Sequence, residues 1–186
     1  MIAAVVLAAG AGSRFSADTH KLLAPFRGRP LIVWAVEHAL SAGLDAVAVV
    51  VGAVSLGHVL PAGVSLIPNG RWAEGQASSL QAAVSWADLR SFDAVAVGLG
   101  DQPLVPPEVW TAVAAGDGFH PIAVASYGGR RGNPVRLDRE VWPLLPTTGD
   151  AGARVLMRER PELVGEIPCD GAALDIDTVE DLDGWS

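Results

Sequence analysis

Apolar residues in this chain gather into short, nearly unbroken runs separated by polar punctuation. Five runs are rich in valine, alanine, leucine and isoleucine: Ile2–Leu7, Ala46–Val51, Val64–Ile67, Ala94–Leu99 and Ile122–Ala125. A strand wetted on one side would alternate, so runs without alternation predict strands covered on both faces. Helical spacing falls between them. Pro30 stands where proline favours a helix start, and Leu31, Trp34, Ala35, His38 and Ala39 then share one face. Ser78–Leu89 and Pro107–Ala115 read as a second and a third helix. This alternation predicts an α/β protein with three layers and a mostly parallel sheet. Neither a repeat nor a linker interrupts it, so one domain is expected over residues 1–186. The stretches Gly10–Gly12, Gly128–Pro134 and Pro146–Gly152 are expected to be loops.

Composition narrows the function classes. Half of the 186 residues are apolar and 18% are charged, which excludes a disordered chain. The net charge of −8 gives no general field for nucleic acid, so a phosphate ligand must be held by local backbone N–H groups, a few cations and a metal. Cys169 is the only cysteine, which excludes an internal disulfide and a cysteine-built zinc site. The apolar start, Ile2 to Ala9, lacks a basic leader and ends in a glycine loop followed by Arg14 and Lys21. That order predicts a buried strand and a cytoplasmic protein. No stretch approaches the ~18 uninterrupted apolar residues of a membrane span.

In open α/β sheets, ligands bind at the carboxyl ends of the strands. Three polar segments follow strands here: the loop after Leu7, Gly100-Asp101-Gln102-Pro103 after Leu99, and Tyr127 to Pro134 after Ala125. The first reads Leu7-Ala8-Ala9-Gly10-Ala11-Gly12-Ser13-Arg14-Phe15, then Lys21-Leu22-Leu23. Glycines and small residues let successive N–H groups approach a polyphosphate, while Arg14 offers a bidentate grip and Lys21 a point charge. Gly10 and Gly12 alone would equally serve a tight turn. A dinucleotide fingerprint would need glycine or alanine at Phe15, and a Walker loop would need Gly-Lys-Ser/Thr; neither is present.

Asp101 follows four apolar residues and a glycine at the mouth of the sheet, where a bound Mg²⁺ would relieve its charge. It would serve as well in an Asx-type turn before Pro106–Pro107. In Leu174-Asp175-Ile176-Asp177-Thr178-Val179-Glu180-Asp181, the pair Thr178 and Asp181 reads as a capping box. Asp175 is not needed by that cap, so it is the better second metal carboxylate, with Asp177 intermediate. Finally, Pro68-Asn69-Gly70-Arg71-Trp72-Ala73-Glu74-Gly75-Gln76-Ala77-Ser78-Ser79-Leu80 brings a glycine and two hydroxyls to a helix N-terminus, suited to a base, ribose or phosphate. An ordinary N-cap accounts for one of the two serines. Trp72 can stack on a ligand, whereas most of the six tryptophans suit the core. The four histidines show no metal-ligand spacing.

Together these segments, with Tyr127–Arg136 and Gly149–Arg154, resemble the MobA-like nucleotidyltransferases, and within that group the molybdenum cofactor cytidylyltransferase branch. The resemblance spans nearly the whole chain. It implies a Rossmann-like fold, CTP (or GTP) as donor, Mg²⁺ as cofactor, a pterin phosphate as acceptor, and a molybdoenzyme or its chaperone as recipient. Carried over by position, Leu7, Ala8, Ala9, Gly10, Gly12, Ser13, Arg14 and Lys21 match the triphosphate site, and Gly75, Ser78 and Ser79 the nucleoside site. Asp101 matches the metal ligand, joined by Asp175. Lys21, Arg14 and Asp101 are the implied catalytic set, and Gln102, Tyr127, Asn133, Pro134, Asp150 and Arg154 are left to shape the acceptor pocket. Rival readings are a guanylyltransferase, a nucleotidyltransferase for another phosphorylated metabolite, and a non-catalytic nucleotide-binding maturation factor.

Overall fold

The computed structural model describes residues 1–12, 15, 19–171 and 174–185. Ser13 and Arg14, both expected at the triphosphate, lie outside the described residues. The central strand is β1 (Ile2–Ala8), and a two-residue hairpin, β2 (Pro25–Phe26) with β3 (Arg29–Pro30), precedes α1 (Leu31–Ser41). Then come β4 (Ala46–Val51), β5 (Val64–Pro68), α2 (Gln76–Asp88), β6 (Ala94–Leu99) and α3 (Pro107–Ala115). The chain continues through β7 (Ile122–Tyr127), β8 (Arg130–Asp138), α4 (Arg154–Glu159), β9 (Val164–Pro168) and α5 (Val179–Trp185). Seven strands form one sheet in the order β5-β4-β1-β6-β8-β7-β9. Every pairing is parallel except those of β8, which runs antiparallel to β6 and β7.

The unbroken apolar character of β1 has a direct cause. Ala3, Val5 and Leu7 enter one core with α2 (Leu80, Ala83, Val84, Ala87) and with Leu156 and Met157 of α4. Ala4, Val6 and Ala8 enter the opposite core with Ile32, Val33 and Val36 of α1 and Val109, Trp110 and Val113 of α3. Both faces are covered, giving the three layers that the sequence predicts.

Three sequence expectations need correction. In α1 the sheet-facing stripe is Ile32, Val33, Val36 and Ala39; Trp34 and His38 are only half-buried. Trp34 turns toward the hairpin instead, donating its indole N–H to the Phe26 carbonyl at 2.8 Å and meeting the Phe26 ring edge-on. The stretch Gly128–Pro134 is not a single loop. Gly128 and Gly129, at φ +57° and +79°, make a tight turn, and β8 returns from Arg130. Positive φ at both central residues is what a twisted hairpin requires, and glycine adopts it freely. Finally, β9 was not expected; it is a short strand at the sheet edge with only Val164 and Gly165 buried.

A smaller apolar cluster joins Phe15, Ala24, Phe26 and Leu31 to Ile176 and Leu182. It draws the C-terminal segment against the chain around Lys21. Thr178 and Asp181 close the predicted capping box: the Asp181 N–H donates to Thr178 Oγ1 at 3.1 Å and the Thr178 N–H to Asp181 Oδ2 at 2.9 Å.

Candidate nucleotide site

The chain leaves β1 toward β4 and β5 on one side and later returns to β6 on the other. The carboxyl ends of β1 and β6 therefore flank the place where strand order reverses, the crevice position of such sheets. They are joined there by the Gly100 N–H donating to the Leu7 carbonyl at 3.0 Å. The loops that follow, Ala9–Gly12 and Gly100–Gln102, face one cleft.

Lys21 is the centre of this cleft. Although only 8% exposed, its ammonium donates to Asp101 Oδ2 at 2.6 Å and to Asp177 Oδ1 at 2.9 Å. Burial alone would depress the ammonium, but the two carboxylates outweigh it and hold its pKa above the ordinary lysine value. Lys21 is thus a fixed positive charge. Its position comes from a short 3₁₀ turn, Lys21–Leu23, capped by His20, whose Nδ1 accepts from the Leu22 N–H at 3.2 Å. With Nδ1 accepting, the ring proton sits on Nε2 and is donated to the Gly10 carbonyl at 3.0 Å. His20 therefore ties the glycine loop to the lysine turn. Gly12, at φ +63°, brings the loop so close that a Cβ there would meet Lys21 Cβ at 3.2 Å.

The C-terminal acids arrive by alternation. Ile176 is fully buried and its N–H donates to the Asp101 carbonyl at 3.0 Å. Its neighbours on either side consequently flank the cleft. Asp177 reaches Lys21, while Asp175 accepts from Gln102 Nε2 at 2.7 Å. Partial burial, then the charges of Asp101 and Asp177, push the Asp175 pKa above the usual carboxylate value, against the hydrogen bond from Gln102. Among the described residues, Asp101 Oδ1 is buried with no hydrogen-bond partner.

These features suit a hard divalent cation. Two carboxylates share one lysine with a third, Asp175, close by, and an orphaned oxygen of Asp101 is the kind of atom a cation would relieve. No three His, Cys, Asp or Glu among the described residues gather closely enough to enclose a metal.

Two adjoining cavities make up the cleft. One, of about 510 Å³, is lined by Leu7, Ala8, Gly10, Gly12, Lys21, Asp101, Asp150 and Asp177 among others. The second, of about 560 Å³, runs from Gly10 past Trp72, Gly75, Gln76 and Ser79 to Asp150, Arg154 and Asp175. Ala9 also lines it. Each is large enough for a small organic ligand. A third cavity, of about 570 Å³, continues beyond Arg154 and Asp175 and is lined by Gln102 and Asn133.

Most of the expected site residues thus converge, and three stand apart. Ser78 is buried, its hydroxyl donating to the Gly75 carbonyl at 2.8 Å and accepting from Asn69 Nδ2 at 2.9 Å. Asn69 also donates to Ser79 Oγ at 3.0 Å, so it sets both serines. Tyr127 packs against the core and donates its hydroxyl to the Asn133 carbonyl at 2.7 Å, bracing the β7–β8 hairpin. Neither Tyr127 nor Pro134 lines these cavities. Asn69 stands in the segment the sequence marks, but neither its hold on the two serines nor the loop tie made by His20 is legible there, because their partners are backbone atoms and serines that no spacing rule announces.

A family model described as the MobA-like NTP transferase domain matches residues 4–164. The chain belongs to the MobA-like NTP transferase family. As a member, it is 33% identical over 195 residues to the protein named nicotine blue oxidoreductase of Paenarthrobacter nicotinovorans, covering 97% of this chain and 94% of that one. It superposes on a nucleotidyl transferase from Methanothermobacter with a TM-score of 0.84 at 26% identity, covering 100% of this chain and 97% of that one. It also superposes on Rv0371C of Mycobacterium tuberculosis H37Rv in complex with manganese, with a TM-score of 0.76 at 26% identity over 99% and 97% of the two chains. The fold is that of the nucleotide-diphospho-sugar transferases. No described helix of this MobA-like protein is long and apolar enough to cross a membrane.

Proposed function

We propose that the protein transfers CMP from CTP to a pterin phosphate, the molybdenum cofactor precursor class, with release of pyrophosphate. The observation that carries this reading is the placement of Lys21. A buried, doubly paired ammonium stands where the glycine loop, Asp101 and the C-terminal acids meet, at the strand ends of a sheet built like those of nucleotidyl transferases.

In the proposed step an oxygen of the acceptor phosphate attacks the α-phosphorus of CTP. A new P–O bond forms as the bond from the α-phosphorus to the bridging oxygen breaks, and the electron pair leaves with pyrophosphate. Such a transfer is governed by positioning and by neutralisation of developing charge, so no covalent nucleophile on the protein is needed. The loop N–H groups of residues 9–12 and the ammonium of Lys21 stabilise the triphosphate and the departing pyrophosphate. Trp72, Gly75 and Ser79 border the part of the cleft assigned to the nucleoside. Asp101, with Asp175, would hold Mg²⁺ or a similar divalent ion, which would supply positive charge at the reacting phosphates.

The choice of CTP rests on the resemblance of the LAAGAGSRF and GQASSL segments to the cytidylyl branch. The decisive assay is pyrophosphate release in the presence of Mg²⁺ and molybdopterin, screened over the four ribonucleotides. CTP should turn over fastest; equal rates with GTP would refute the base assignment and leave nucleotidyl transfer standing. The relative named as an oxidoreductase favours a second reading, redox chemistry in the same cleft. Under that reading no pyrophosphate forms with any nucleotide.

A further inference from the structure

The third cavity has a character that the nucleotide site does not explain. Its floor is apolar, made by Val124, Val135 and Met157, and its walls carry Arg130, Arg131, Arg154 and Arg158. The chain has 13 lysines and arginines and a net charge of −8, so four arginines around one cavity of about 570 Å³ is a pronounced local reversal. Arg131 is neutralised by Glu166 at 2.8 Å. Among the described residues, Arg130, Arg154 and Arg158 have no ion-pair partner; Asp175, the one acid in the lining, is hydrogen-bonded to Gln102.

The arginines come from two elements. Arg130 and Arg131 start β8 immediately after the Gly128–Gly129 turn, and Arg154 and Arg158 stand one helical turn apart on α4. Arg154 and Asp175 also line the nucleotide cleft, so the two spaces share a wall at the place where an acceptor phosphate would meet the nucleotide.

We propose that this cavity is the acceptor subsite, and that the acceptor carries a second anionic group besides the attacking phosphate, read by Arg130 and Arg158. The inference rests on the transferase reading for the identity of the reacting group. A phosphate monoester brings about two negative charges, and Arg154, on the wall the two cavities share, stands where that group would meet the nucleotide. Arg130 and Arg158 line the third cavity and not the nucleotide cleft, so a second anion on the ligand would meet them away from the reacting phosphate. Guanidinium groups suit that task, since they bind carboxylate and phosphate oxygens in pairs and stack on flat rings, and the apolar floor accommodates the body of the molecule. Arg130 and Arg158 are specificity-determining residues in this account, remote from the reacting phosphorus.

The test uses the full chain saturated with CTP and without metal, so that binding is read with no turnover. Two matched probes are titrated by calorimetry: 3-phosphoglycerate, which carries a carboxylate, and glycerol 3-phosphate, which carries a hydroxymethyl group in its place. The wild type should prefer 3-phosphoglycerate by at least roughly tenfold, the scale of one charge-assisted hydrogen bond. The double variant Arg130→Ala, Arg158→Ala should bind both probes equally, with CTP affinity and Tm unchanged because both side chains are exposed. Arg130→Lys with Arg158→Lys should restore part of the preference. Equal binding of the two probes to the wild type, absence of binding, or a preference retained in the double variant would overturn the subsite. A wild type that shows the preference but forms no pyrophosphate with CTP, Mg²⁺ and any phosphorylated acceptor would instead sink the transferase reading and leave the anion subsite standing.

Discussion

At the scale of single residues, the account turns on one cation among three acids. Under the proposed transfer, Lys21→Ala removes the preorganised charge assigned to the departing pyrophosphate and should lower turnover by at least ~100-fold, read as kcat under saturating CTP. His20→Ala, which unties the Gly10 loop while leaving the ammonium in place, should raise the KM for CTP more than it lowers kcat. The reverse ranking would show that the charge is not the working feature. Asp175 gives a prediction of opposite sign for stability and function. Its pKa is raised in the folded protein, so its ionisation costs folding stability, and that cost grows as pH rises through the carboxylate range. Asp175→Asn should therefore raise the Tm of the metal-free protein at pH 7, bring no gain at pH 3, where both states are protonated, and weaken metal binding. A lower Tm at pH 7 would mean that the Gln102 hydrogen bond outweighs the charge repulsion. Asp101 was legible in the sequence because it follows the end of β6, a place the hydrophobic pattern marks, and Lys21 because it comes after the glycine loop that leaves β1. The pairing of Lys21 with Asp177 was not, since it depends on the Ile176 anchor entering a cluster built from residues 15–31.

At the scale of elements, the site is held by two close approaches of backbone. Gly75 has φ +102°, and a Cβ there would lie 2.6 Å from both the Gly149 carbonyl oxygen and Asp150 Oδ1. The Ala77 N–H donates to the Gly149 carbonyl at 2.9 Å, so the N-terminus of α2 and the Gly149–Arg154 loop form one wall of the cleft. Gly75→Ala forces a rarely allowed conformation and a clash, at a cost of roughly 1–3 kcal/mol. It should lower Tm modestly while raising the KM values for nucleotide and acceptor together, because both borders of the wall move. A change confined to one substrate would show that the two segments are independent. The buried strands were readable because apolar residues cover both faces. The strand β8 was not: its Arg, Gly, Asn and Pro residues read as a loop. Pro134 fits because it lies at the break in register between Val124 and Ser126 of β7, where a missing N–H costs no regular ladder bond. In β9, five residues at an edge offer too little burial for a pattern.

At the scale of the whole molecule, a net charge of −8 coexists with a local excess of positive charge on the arginine walls, while Lys21 is balanced by Asp101 and Asp177. Under the proposed function, anionic substrates are held by local groups without a long-range field, and CTP binding should stabilise the fold by mass action. Thermal shifts with CTP should exceed those with GTP at equal concentration, and the excess should vanish when the base-proximal segment Trp72–Ser79 is replaced by a guanylyl-type sequence. The central claim, that the group transferred is the nucleotidyl moiety, is tested most directly by the fate of two labels. CTP carrying radioactive phosphorus at the α position, and separately at the γ position, is incubated with the protein, Mg²⁺ and molybdopterin. The α label should move to the acceptor, with the γ label recovered entirely in pyrophosphate. Label from the γ position on the acceptor, or α label that never leaves CTP, would contradict the account.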